Sequence, residues 1–440
     1  MKLSRWLFLV RTGEGGVLAW SSLTGALAKV NDEFLGVIEA LKSGGDVDTD
    51  SKLISEMLRC GFIVGDDVDE LAVYGELARS TQHSSNALKL VIAPTLDCNF
   101  ACPYCFETRK NVSMSREVQD AITRYVRKEL EGGTVKAFSV VWYGGEPLLE
   151  PGIIAELSEA FIGICREHGV SYNASIITNG YLVDEDIAEL LKKCCVSFAQ
   201  VTVDGSPEVH NARRVLRVPA SEGTYRRVVD SVNFLTAAGL NVSVRMNVDR
   251  ENAGAVGEGI AMLAGFIRDK EKVSFSCGHV VHYVEESSSC LSKEEYSSVI
   301  LECLTHCKAH GLDFSAKTLY PKFRPSYCSA TMPGSFVIDP EGLVYKCWND
   351  IGIKDYGIGT VNGLIDGGLT EEFACSAWGQ YSQMNYEACR ECKLLPVCAG
   401  GCPHEAVHYG KNPDCEPCKY ILDELLMLQV KGGVQNGNNS

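Results

Sequence analysis

A short cysteine-rich loop organises this sequence: Leu96-Asp97-Cys98-Asn99-Phe100-Ala101-Cys102-Pro103-Tyr104-Cys105-Phe106. An apolar run from Leu88 to Ile92 precedes the loop and predicts a buried strand. Three thiolates with C-x3-C-x2-C spacing can bind three irons of a cubane iron–sulfur cluster. The fourth iron is then left without a protein ligand and can bind a small molecule. A structural zinc site would need a fourth protein ligand nearby, and Glu107, the nearest candidate, matches a closed sulfur site poorly.

The same loop resembles the cluster motif of the radical S-adenosylmethionine (SAM) superfamily, because an aromatic residue, Tyr104, directly precedes the third cysteine. In that family the open iron is chelated by the amino and carboxylate groups of SAM. Electron transfer from the cluster then cleaves the sulfonium to a 5′-deoxyadenosyl radical. The resemblance implies that Cys98, Cys102 and Cys105 hold a [4Fe-4S] cluster that binds SAM, with Tyr104 beside the cofactor.

Composition predicts a cytoplasmic protein whose 20 cysteines are metal ligands or core thiols. A secreted disulfide protein would be shorter and would carry a signal peptide. The apolar run at the N-terminus is too short for a signal and is ended by Arg11. The sequence contains no run of about 18 apolar residues, so no membrane span is expected. The formal net charge of −16 argues against a nucleic-acid partner.

Residues 1–85 are predicted to form a small α+β domain that carries no chemistry motif. Its predicted order is strand–strand–strand–helix–helix–strand, which resembles the winged, leader-peptide-binding elements fused to many peptide-modifying enzymes. The alternative is a plain structural cap. The predicted elements are strands Arg5–Val10, Val17–Trp20 and Ala26–Val30, helices Asp32–Leu41 and Asp50–Arg59, and strand Phe62–Val64.

Residues 86–315 alternate apolar strands with amphipathic helices, which predicts an α/β fold with a parallel sheet. Six strand–helix units suit the open, partial (β/α)6 barrel of radical SAM enzymes, in which the chemistry lies at the carboxyl ends of the strands. The predicted strands are Lys89–Ala93, Phe138–Tyr143, Ala174–Thr178, Phe198–Val203, Val242–Val248 and Val273–Val281. The predicted helices are Ser115–Glu131, Ile153–His168, Asp184–Lys193, Tyr225–Ala238 and Ala255–Asp269.

Candidate SAM contacts follow these strands. Gly144-Gly145-Glu146-Pro147 resembles the family's GGEP element, which holds the amino group of SAM. Glycines let backbone approach a ligand closely, and Glu146 can pair with an ammonium group. Asn179 and Thr202 end the next two strands, where the resemblance places residues around the ribose and carboxylate. The alternative for both is a turn built on Asn-Gly or Asp-Gly.

Further candidates lie after the fourth strand and on the fifth. Residues 204–214 resemble a segment found in peptide- and protein-modifying members of the family. Arg214 is the candidate carboxylate-binding or loop-fixing cation, since arginine suits bidentate recognition, whereas His210 is expected to hydrogen-bond the loop. Arg245 and Asn247 are two residues apart on a predicted strand, so both point to one face and are candidates for contacting SAM. The sequence identifies no catalytic acid or base.

Residues 316–440 contain a second cysteine block. A predicted hairpin from Ser335 to Cys347 is followed by cysteines with C-x2-C-x5-C-x3-C spacing and a final C-x2-C pair. Two zinc sites could use such thiols, but the whole pattern resembles the SPASM extension of peptide maturases, which carries two auxiliary [4Fe-4S] clusters. The cysteines concerned are Cys328, Cys347, Cys389, Cys392, Cys398, Cys402, Cys415 and Cys418.

The SPASM resemblance implies a division of these ligands. The outer cluster would take Cys389, Cys392 and Cys398 with a late cysteine, most simply Cys415. The inner cluster, nearer SAM, would take the cysteines before and within the hairpin together with the last of the main block, namely Cys328, Cys347 and Cys402. Cys418 could complete either cluster, or the inner cluster could keep an open iron that binds substrate.

A radical SAM barrel with a SPASM extension implies an enzyme that abstracts hydrogen from a ribosomally made precursor peptide with a leader. Its reducing partner would be a flavodoxin or ferredoxin. A thioether crosslink is the expected product, and carbon–carbon or carbon–oxygen crosslinks are alternatives. Formylglycine formation, as in anaerobic sulfatase maturation, is a further alternative, although Trp348 stands where those enzymes carry an aspartate after the hairpin cysteine. Asp350 is the nearest substitute for that aspartate, but three residues after Cys347 it is expected to point elsewhere. A non-catalytic electron carrier would have no use for the SAM motifs.

Overall fold

The computed structural model describes residues 1–13, 15–82, 86–218, 222–281, 289–314, 321–367 and 369–431. In these residues the strands are β1 Lys2–Leu3, β2 Leu7–Arg11, β3 Val17–Ser21, β4 Leu27–Val30, β5 Ile63–Val64, β6 Ala87–Ile92, β7 Ala137–Trp142, β8 Ser171–Thr178, β9 Val196–Thr202, β10 Asn241–Val248, β11 Val273–His279, β12 Asp313–Phe314, β13 Ser335–Ile338, β14 Leu343–Tyr345 and β15 Gly359–Thr360.

The α-helices of the described residues are named here in chain order. The first ten are α1 Asp32–Lys42, α2 Lys52–Arg59, α3 Glu70–Gln82, α4 Arg116–Glu131, α5 Pro151–His168, α6 Glu185–Lys193, α7 Pro207–Arg213, α8 Tyr225–Ala237, α9 Val256–Phe266 and α10 Lys293–Ala309. The next are α11 Val361–Asp366, α12 Leu369–Cys375, α13 Ala377–Gln380, α14 Glu387–Glu391, α15 Leu395–Cys398, α16 His404–Tyr409 and α17 Leu422–Lys431.

Capping residues explain several helix bounds. The Ser115 hydroxyl accepts a hydrogen bond from Val118 N at the start of α4, and Ser292 forms a reciprocal capping box with Glu295 at the start of α10. Gly169 ends α5 in the left-handed conformation. None of the described helices is long and apolar enough to cross a bilayer.

The chain divides into two compact units, and the larger comprises Ser84–Ser315 and Ser329–Gln380. Its sheet has the order β12-β11-β10-β9-β8-β7-β6-β13-β14-β15, and the pairings from β12 to β13 are parallel where the register is given. Strands β6 to β11 are followed by α4, α5, α6, α8, α9 and α10. These six strand–helix units and the open sheet confirm the predicted partial barrel.

The core of this unit explains why the strands were readable from sequence. Strand residues such as Ile92, Val140 and Ile176 are almost completely buried, and so are helix residues such as Ile122 and Phe161. Parallel strands covered on both faces produce the near-continuous apolar runs from which they were predicted. The predicted hairpin is also present, because β13 pairs antiparallel with β14.

The second unit comprises Met1–His83, Ala316–Cys328 and Tyr381–Ser440. The predicted N-terminal strands and helices are present, but a short strand that was not predicted, β1, precedes them. Strands β2-β3-β4 form one antiparallel sheet, and β1 pairs with β5 in another. The segment shares its core with the C-terminal cysteine block, since Leu18 and Trp20 pack with Val397 and Leu426. The division into three domains at residues 85 and 315 stays a prediction, and residues 315–320 lie outside the described part of the chain.

Candidate active site

The candidate site lies at the carboxyl edge of the parallel strands. The cysteine loop follows β6, Gly144 to Glu146 follow β7, and Asn179 directly follows β8. Asp204 follows β9 by two residues, and Asn247 lies near the end of β10. Because the carboxyl ends of neighbouring parallel strands meet at one edge, segments far apart in sequence form one surface.

The three loop thiols are mutual neighbours. Burial, together with the charges of Glu146, Cys102 and Cys105, raises the pKa of Cys98 to about 12. Burial also raises the pKa of Cys102 and of Cys105. Cys102 is buried, Cys98 is partly buried and Cys105 is exposed. Three thiolates clustered in this way need a compensating cation, which is what a bound metal centre supplies.

Gly144 and Gly145 pack against the cysteine loop. A Cβ at Gly145 would lie 2.2 Å from the Asp97 carbonyl oxygen, and one at Gly144 would lie 2.4 Å from that of Thr95. Gly144 also has a φ of +113°, which favours glycine. The sequence predicted that these glycines let the backbone come close to a ligand. In the structure the group that they come close to is the backbone of the cysteine loop.

Glu146 is fully buried at the centre of this edge. Its carboxylate accepts hydrogen bonds from Thr178 Oγ1 at 2.7 Å, Asn179 N at 2.8 Å and Leu148 N at 3.0 Å. Burial raises the pKa of Glu146, and these hydrogen bonds lower it in part. The Glu146 amide in turn donates to the Asp97 carbonyl at 2.8 Å, so the carboxylate is fixed beside the cysteine loop.

Asn179 lies against the loop as predicted for a site residue, whereas Thr202 does not reach it by any hydrogen bond recorded in the described residues. The Asn179 amide Nδ2 donates to Asn99 Oδ1 at 2.7 Å and lies 3.9 Å from Cys98 Sγ. Asn99 Nδ2 is buried and without a hydrogen-bond partner. Thr202 is buried in β9, opposite Arg245 of β10 in the sheet register.

Tyr104 connects the cysteine loop to β9 and β10. Its hydroxyl donates to Asp204 Oδ2, and it accepts from Arg214 at 3.2 Å and from Asn247 Nδ2 at 3.4 Å. Asp204 is fully buried and also accepts from Asn247 N at 2.9 Å. Burial raises the pKa of Asp204, and the Arg214 charge partly offsets that rise. Tyr104, predicted from its place in the motif, is thus a fixed connection between three segments.

The two adjacent arginines have different contacts. Arg214, the predicted cation, lies over the Phe100 ring at 5.0 Å and near the Cys102 thiol, so it contacts the cysteine loop. Arg213 makes the bidentate carboxylate pair, with nitrogens 2.8 and 3.0 Å from the Asp249 oxygens. The sequence analysis did not predict the pair of Arg213 and Asp249. Adjacent residues at the end of a short helix point to different sides, so the sequence does not show which arginine meets a carboxylate.

His210 and Arg245 also hold this edge together. His210 is fully buried, and its Nδ1 accepts from Asp204 N at 3.3 Å, in agreement with the predicted loop hydrogen bond. Burial lowers the pKa of His210 well below its usual range, so the ring is neutral. Arg245 Nε donates to Asn247 Oδ1 at 2.9 Å, and Gly278 on β11 leaves room for the guanidinium.

Several scattered thiols of the larger unit are core residues, whereas Cys195 is exposed. Cys303 and Cys307, one turn apart on α10, are fully buried, and the Cys303 sulfur lies 3.1 Å from that of Cys277 on β11. The nearest thiol to Cys303 therefore comes from the neighbouring strand rather than from its own helix.

Five thiols of the other unit are neighbours of one another. Burial, together with the charges of Cys415 and Cys392, raises the pKa of Cys389 to about 11. Burial, together with charges that include those of Cys392 and Cys415, raises the pKa of Cys418 to about 12. Burial raises the pKa of Cys398, and Cys418 and Cys415 raise it as well.

Cys328 and Cys402 are both neighbours of Tyr327 in the same unit. Burial and Glu416 raise the pKa of Tyr327 most, and the charges of Cys402 and Cys328 also raise it. A tight turn fixes Cys402: a Cβ at Gly401 would lie 1.8 Å from the Asp414 carbonyl, and Cys402 and Asp414 form a β-bridge. Cys347 belongs to the larger unit.

Cys347 lies near the cysteine loop. Burial raises the pKa of Tyr143, with the charges of Glu107, Cys105 and Cys347 all contributing, so the three surround one phenol. Trp348 stacks on Tyr143 with ring centroids 5.7 Å apart.

Asp350 corrects an expectation drawn from the sequence. Its position three residues after Cys347 was expected to point it elsewhere, but a carboxylate oxygen lies within 4.8 Å of Cys347 Sγ. The short 3₁₀ helix Trp348–Asp350, which has Cys347 as its cap, brings the two residues to one face.

Comparison with known proteins agrees with this arrangement. Residues 92–258, which span the cysteine loop and strands β7 to β10, match the model of the radical SAM superfamily. The chain carries a radical SAM domain. It is a radical SAM enzyme related to peptide maturases and sulfatase maturases.

Two relatives illustrate the relationship. The chain is 23% identical to the radical SAM cyclopropyl synthase TigE of Paramaledivibacter caminithermalis in an alignment of 479 positions, which covers 96% of this chain and 95% of that protein. It is 24% identical over 358 residues to a cysteine-type anaerobic sulfatase-maturating enzyme of Clostridium perfringens, covering 72% of this chain and 88% of that enzyme.

Solved structures share the fold. Native anSMEcpe with bound AdoMet and Cp18Cys peptide has a TM-score of 0.60 at 20% identity, and the match covers 78% of this chain and 99% of that chain. Streptococcus suis SuiB bound to precursor peptide SuiA has a TM-score of 0.53 at 14% identity and covers 94% of this chain and 98% of its own.

The residues of the site fit the cofactors of this family, SAM and one [4Fe-4S] cluster. The donor set is three clustered thiols of one loop, which leaves one iron of a cubane open. Two buried nitrogens beside the loop, Asn99 Nδ2 and Arg214 Nε, have no partner and are donors that a bound anionic group could use.

Proposed function

We propose that this enzyme abstracts a hydrogen atom from a ribosomally made precursor peptide and closes a sulfur-to-carbon thioether crosslink. The observation that carries the proposal is the position of Tyr143, which has Cys105 of the SAM-cluster loop and Cys347 of the hairpin as neighbours. A substrate radical formed at this edge would therefore arise close to a second thiol ligand.

The electron balance of the reaction is that of an oxidation. The bound cluster and SAM would supply a 5′-deoxyadenosyl radical. The peptide loses one hydrogen atom from carbon, which ends in 5′-deoxyadenosine, and its thiol loses a proton to solvent. One further electron leaves as the carbon–sulfur bond forms, and an auxiliary cluster is the proposed acceptor.

The protein's own residues bind and orient the reactants. Cys98, Cys102 and Cys105 would hold the SAM cluster. Glu146 is fixed by its three hydrogen bonds beside Cys98, where an acceptor for an ammonium group is needed. Arg214 and Asn99 carry buried donor nitrogens beside the same loop, in position for a carboxylate.

The C-terminal thiols are proposed to hold two auxiliary [4Fe-4S] clusters in a SPASM domain. Mutual proximity supports an outer cluster on Cys389, Cys392 and Cys398 with Cys415 or Cys418 as the fourth ligand. Cys328, Cys347 and Cys402 are the ligands proposed for the inner cluster. Because these loops are short and rich in glycine, metal binding would contribute to their folding.

The N-terminal segment is proposed to bind the leader of the precursor by strand addition to an edge of the β2-β3-β4 sheet. SuiB, a structural neighbour, was solved with its precursor peptide SuiA, which supports a peptide partner. The remaining proposed partner is a flavodoxin or ferredoxin as reductant, in the cytoplasm.

Two other outcomes are favoured by specific observations. Similarity to a cyclopropyl synthase over 96% of this chain favours a carbon–carbon bond within the peptide. The carboxylate of Asp350, within 4.8 Å of Cys347 Sγ, favours formylglycine formation, because it could serve as the base that position 348 lacks.

Mass spectrometry of the precursor after reaction tests the proposal. A thioether predicts a loss of two mass units per link and of one alkylatable thiol for each. Replacing the substrate cysteine with alanine should block the link while SAM cleavage continues. A loss of two units with every thiol still alkylatable would refute the thioether and favour a carbon–carbon or carbon–oxygen bond.

A further inference from the structure

Trp348 is an exposed tryptophan on a chain that buries the others. Trp6, Trp20 and Trp142 are fully buried and Trp378 nearly so, whereas Trp348 is 43% exposed. A single exposed apolar side chain is common on protein surfaces. Its position and its packing partner therefore have to decide whether it has a role.

The packing partner of Trp348 holds the indole in a fixed position. Tyr143 lies directly after β7, is buried, and belongs to a core cluster that includes Leu96 and Ile351. The two rings are stacked, with centroids 5.7 Å apart and planes 24° apart. Aromatic residues provide large, rigid contact area at low cost in side-chain entropy, and this stacked pair leaves much of the indole open to solvent.

The stacked pair lies beside the reacting edge. Tyr143 has the thiols of Cys105 and Cys347 as neighbours and hydrogen-bonds Glu107. Trp348 directly follows Cys347, so its indole reaches the surface next to two proposed cluster ligands. Consecutive peptide residues are only about 3.8 Å apart, so a substrate residue held at this edge brings its neighbour within reach of the indole.

We propose that Trp348 determines substrate specificity by stacking against an apolar or aromatic side chain directly next to the peptide residue that loses hydrogen. This inference rests on the proposed function, because it takes the substrate to be a peptide. An open indole face gains from apolar area and ring stacking. The competing role for Trp348 is a cover over the Tyr143–Glu107 hydrogen bond, with no contact to substrate.

Equilibrium dialysis of short peptides tests the proposal without requiring turnover. The probes are radiolabelled acetyl-Gly-Cys-Xaa-Gly-amide peptides, with Phe, Leu, Gly, Lys or Asp as Xaa, added to the reconstituted full chain with SAM. The Phe and Leu peptides should bind about tenfold more tightly than the Gly peptide. Trp348→Ala should abolish this preference, and Trp348→Phe should keep most of it.

The control variant is Phe198→Ala. Phe198 is 40% exposed, but it lies in the amino-terminal half of β9, towards the edge opposite the candidate site. This variant should keep the wild-type preference. Iron content and circular dichroism should match the wild type in all variants, and Trp348→Phe preserves the packing on Tyr143 if Trp348→Ala does not fold.

Each result decides the proposal. An equal affinity for all five peptides, a preference for Lys, or a preference that survives in Trp348→Ala would overturn it. Failure of the proposed function gives a different result, since dialysis would still show the preference while the precursor mass stays unchanged. Conversely, a modified precursor together with unchanged peptide preference in Trp348→Ala would refute only the role of Trp348.

Discussion

The substitution Gly145→Ala should displace the cysteine loop. Its Cβ would lie 2.2 Å from the Asp97 carbonyl oxygen, 2.7 Å from Asp97 C and 2.8 Å from the Leu96 carbonyl oxygen. Ordinary van der Waals contact begins near 3.4 Å, so backbone must move by about 1 Å. Asp97 is the residue before Cys98, and no flexible side chain is available to absorb the shift.

The magnitude follows from that displacement. Overpacking of this kind costs about 1–3 kcal/mol of stability. A misplacement of about 1 Å at a reacting centre lowers the rate by about 100-fold. We therefore expect weaker iron incorporation at the SAM cluster and about 100-fold slower formation of 5′-deoxyadenosine.

The assay compares Gly145→Ala with Gly163→Ala. Gly163 lies inside α5, and a Cβ there would meet nothing within 4 Å. This control should gain about 0.5–1 kcal/mol because alanine favours the helix. Iron content, electron paramagnetic resonance of the reduced protein and SAM cleavage are measured for both. Wild-type values for Gly145→Ala would refute the claim that the glycine exists to accommodate the loop.

Three other predictions concern the same framework. Tyr104→Phe removes the hydroxyl shared by Asp204, Arg214 and Asn247, and should lower stability by about 2 kcal/mol; an unchanged melting temperature would contradict this. Arg213→Lys should cost about 2 kcal/mol of stability because it breaks the bidentate pair with Asp249. Its control is Arg226→Lys, in an exposed pair with Asp230, which should change stability by less than about 0.5 kcal/mol. Equal losses in the two variants would refute the claim that the buried pair contributes more than the exposed one. Anaerobic reconstitution should give about 12 irons per chain for three four-iron clusters; about four irons with bound zinc would indicate a zinc module in the C-terminal block.

The sheet was predictable because long apolar strands alternate with amphipathic helices. Strand β10, for example, was predicted as Val242–Val248 and runs Asn241–Val248. The cysteine loop was predictable from its spacing and Glu146 from the resemblance of residues 144–147 to the GGEP element, and the structure brings them together. Roles that depend on orientation were harder to predict. Arg213 and Arg214 are adjacent, and sequence alone could not say which one meets a carboxylate.

Other features could not be predicted because they depend on tertiary packing. The close approach of Gly145 to Asp97 requires two strands to end side by side. The turn that brings Asp350 back to Cys347 is a 3₁₀ helix of three residues, too short to leave a periodic signal. The shared core of Trp20 and Val397 joins residues at opposite ends of the chain, beyond any local pattern.

Release of 5′-deoxyadenosine tests the account most directly. Reconstituted protein is incubated without oxygen with SAM and dithionite, beside a variant in which Cys98, Cys102 and Cys105 are all replaced by alanine. The wild-type chain should release 5′-deoxyadenosine and methionine, and the variant should release neither while keeping the iron bound by its C-terminal thiols. Equal release from both proteins, or none from either, would contradict the assignment of these three thiols to a SAM-cleaving cluster.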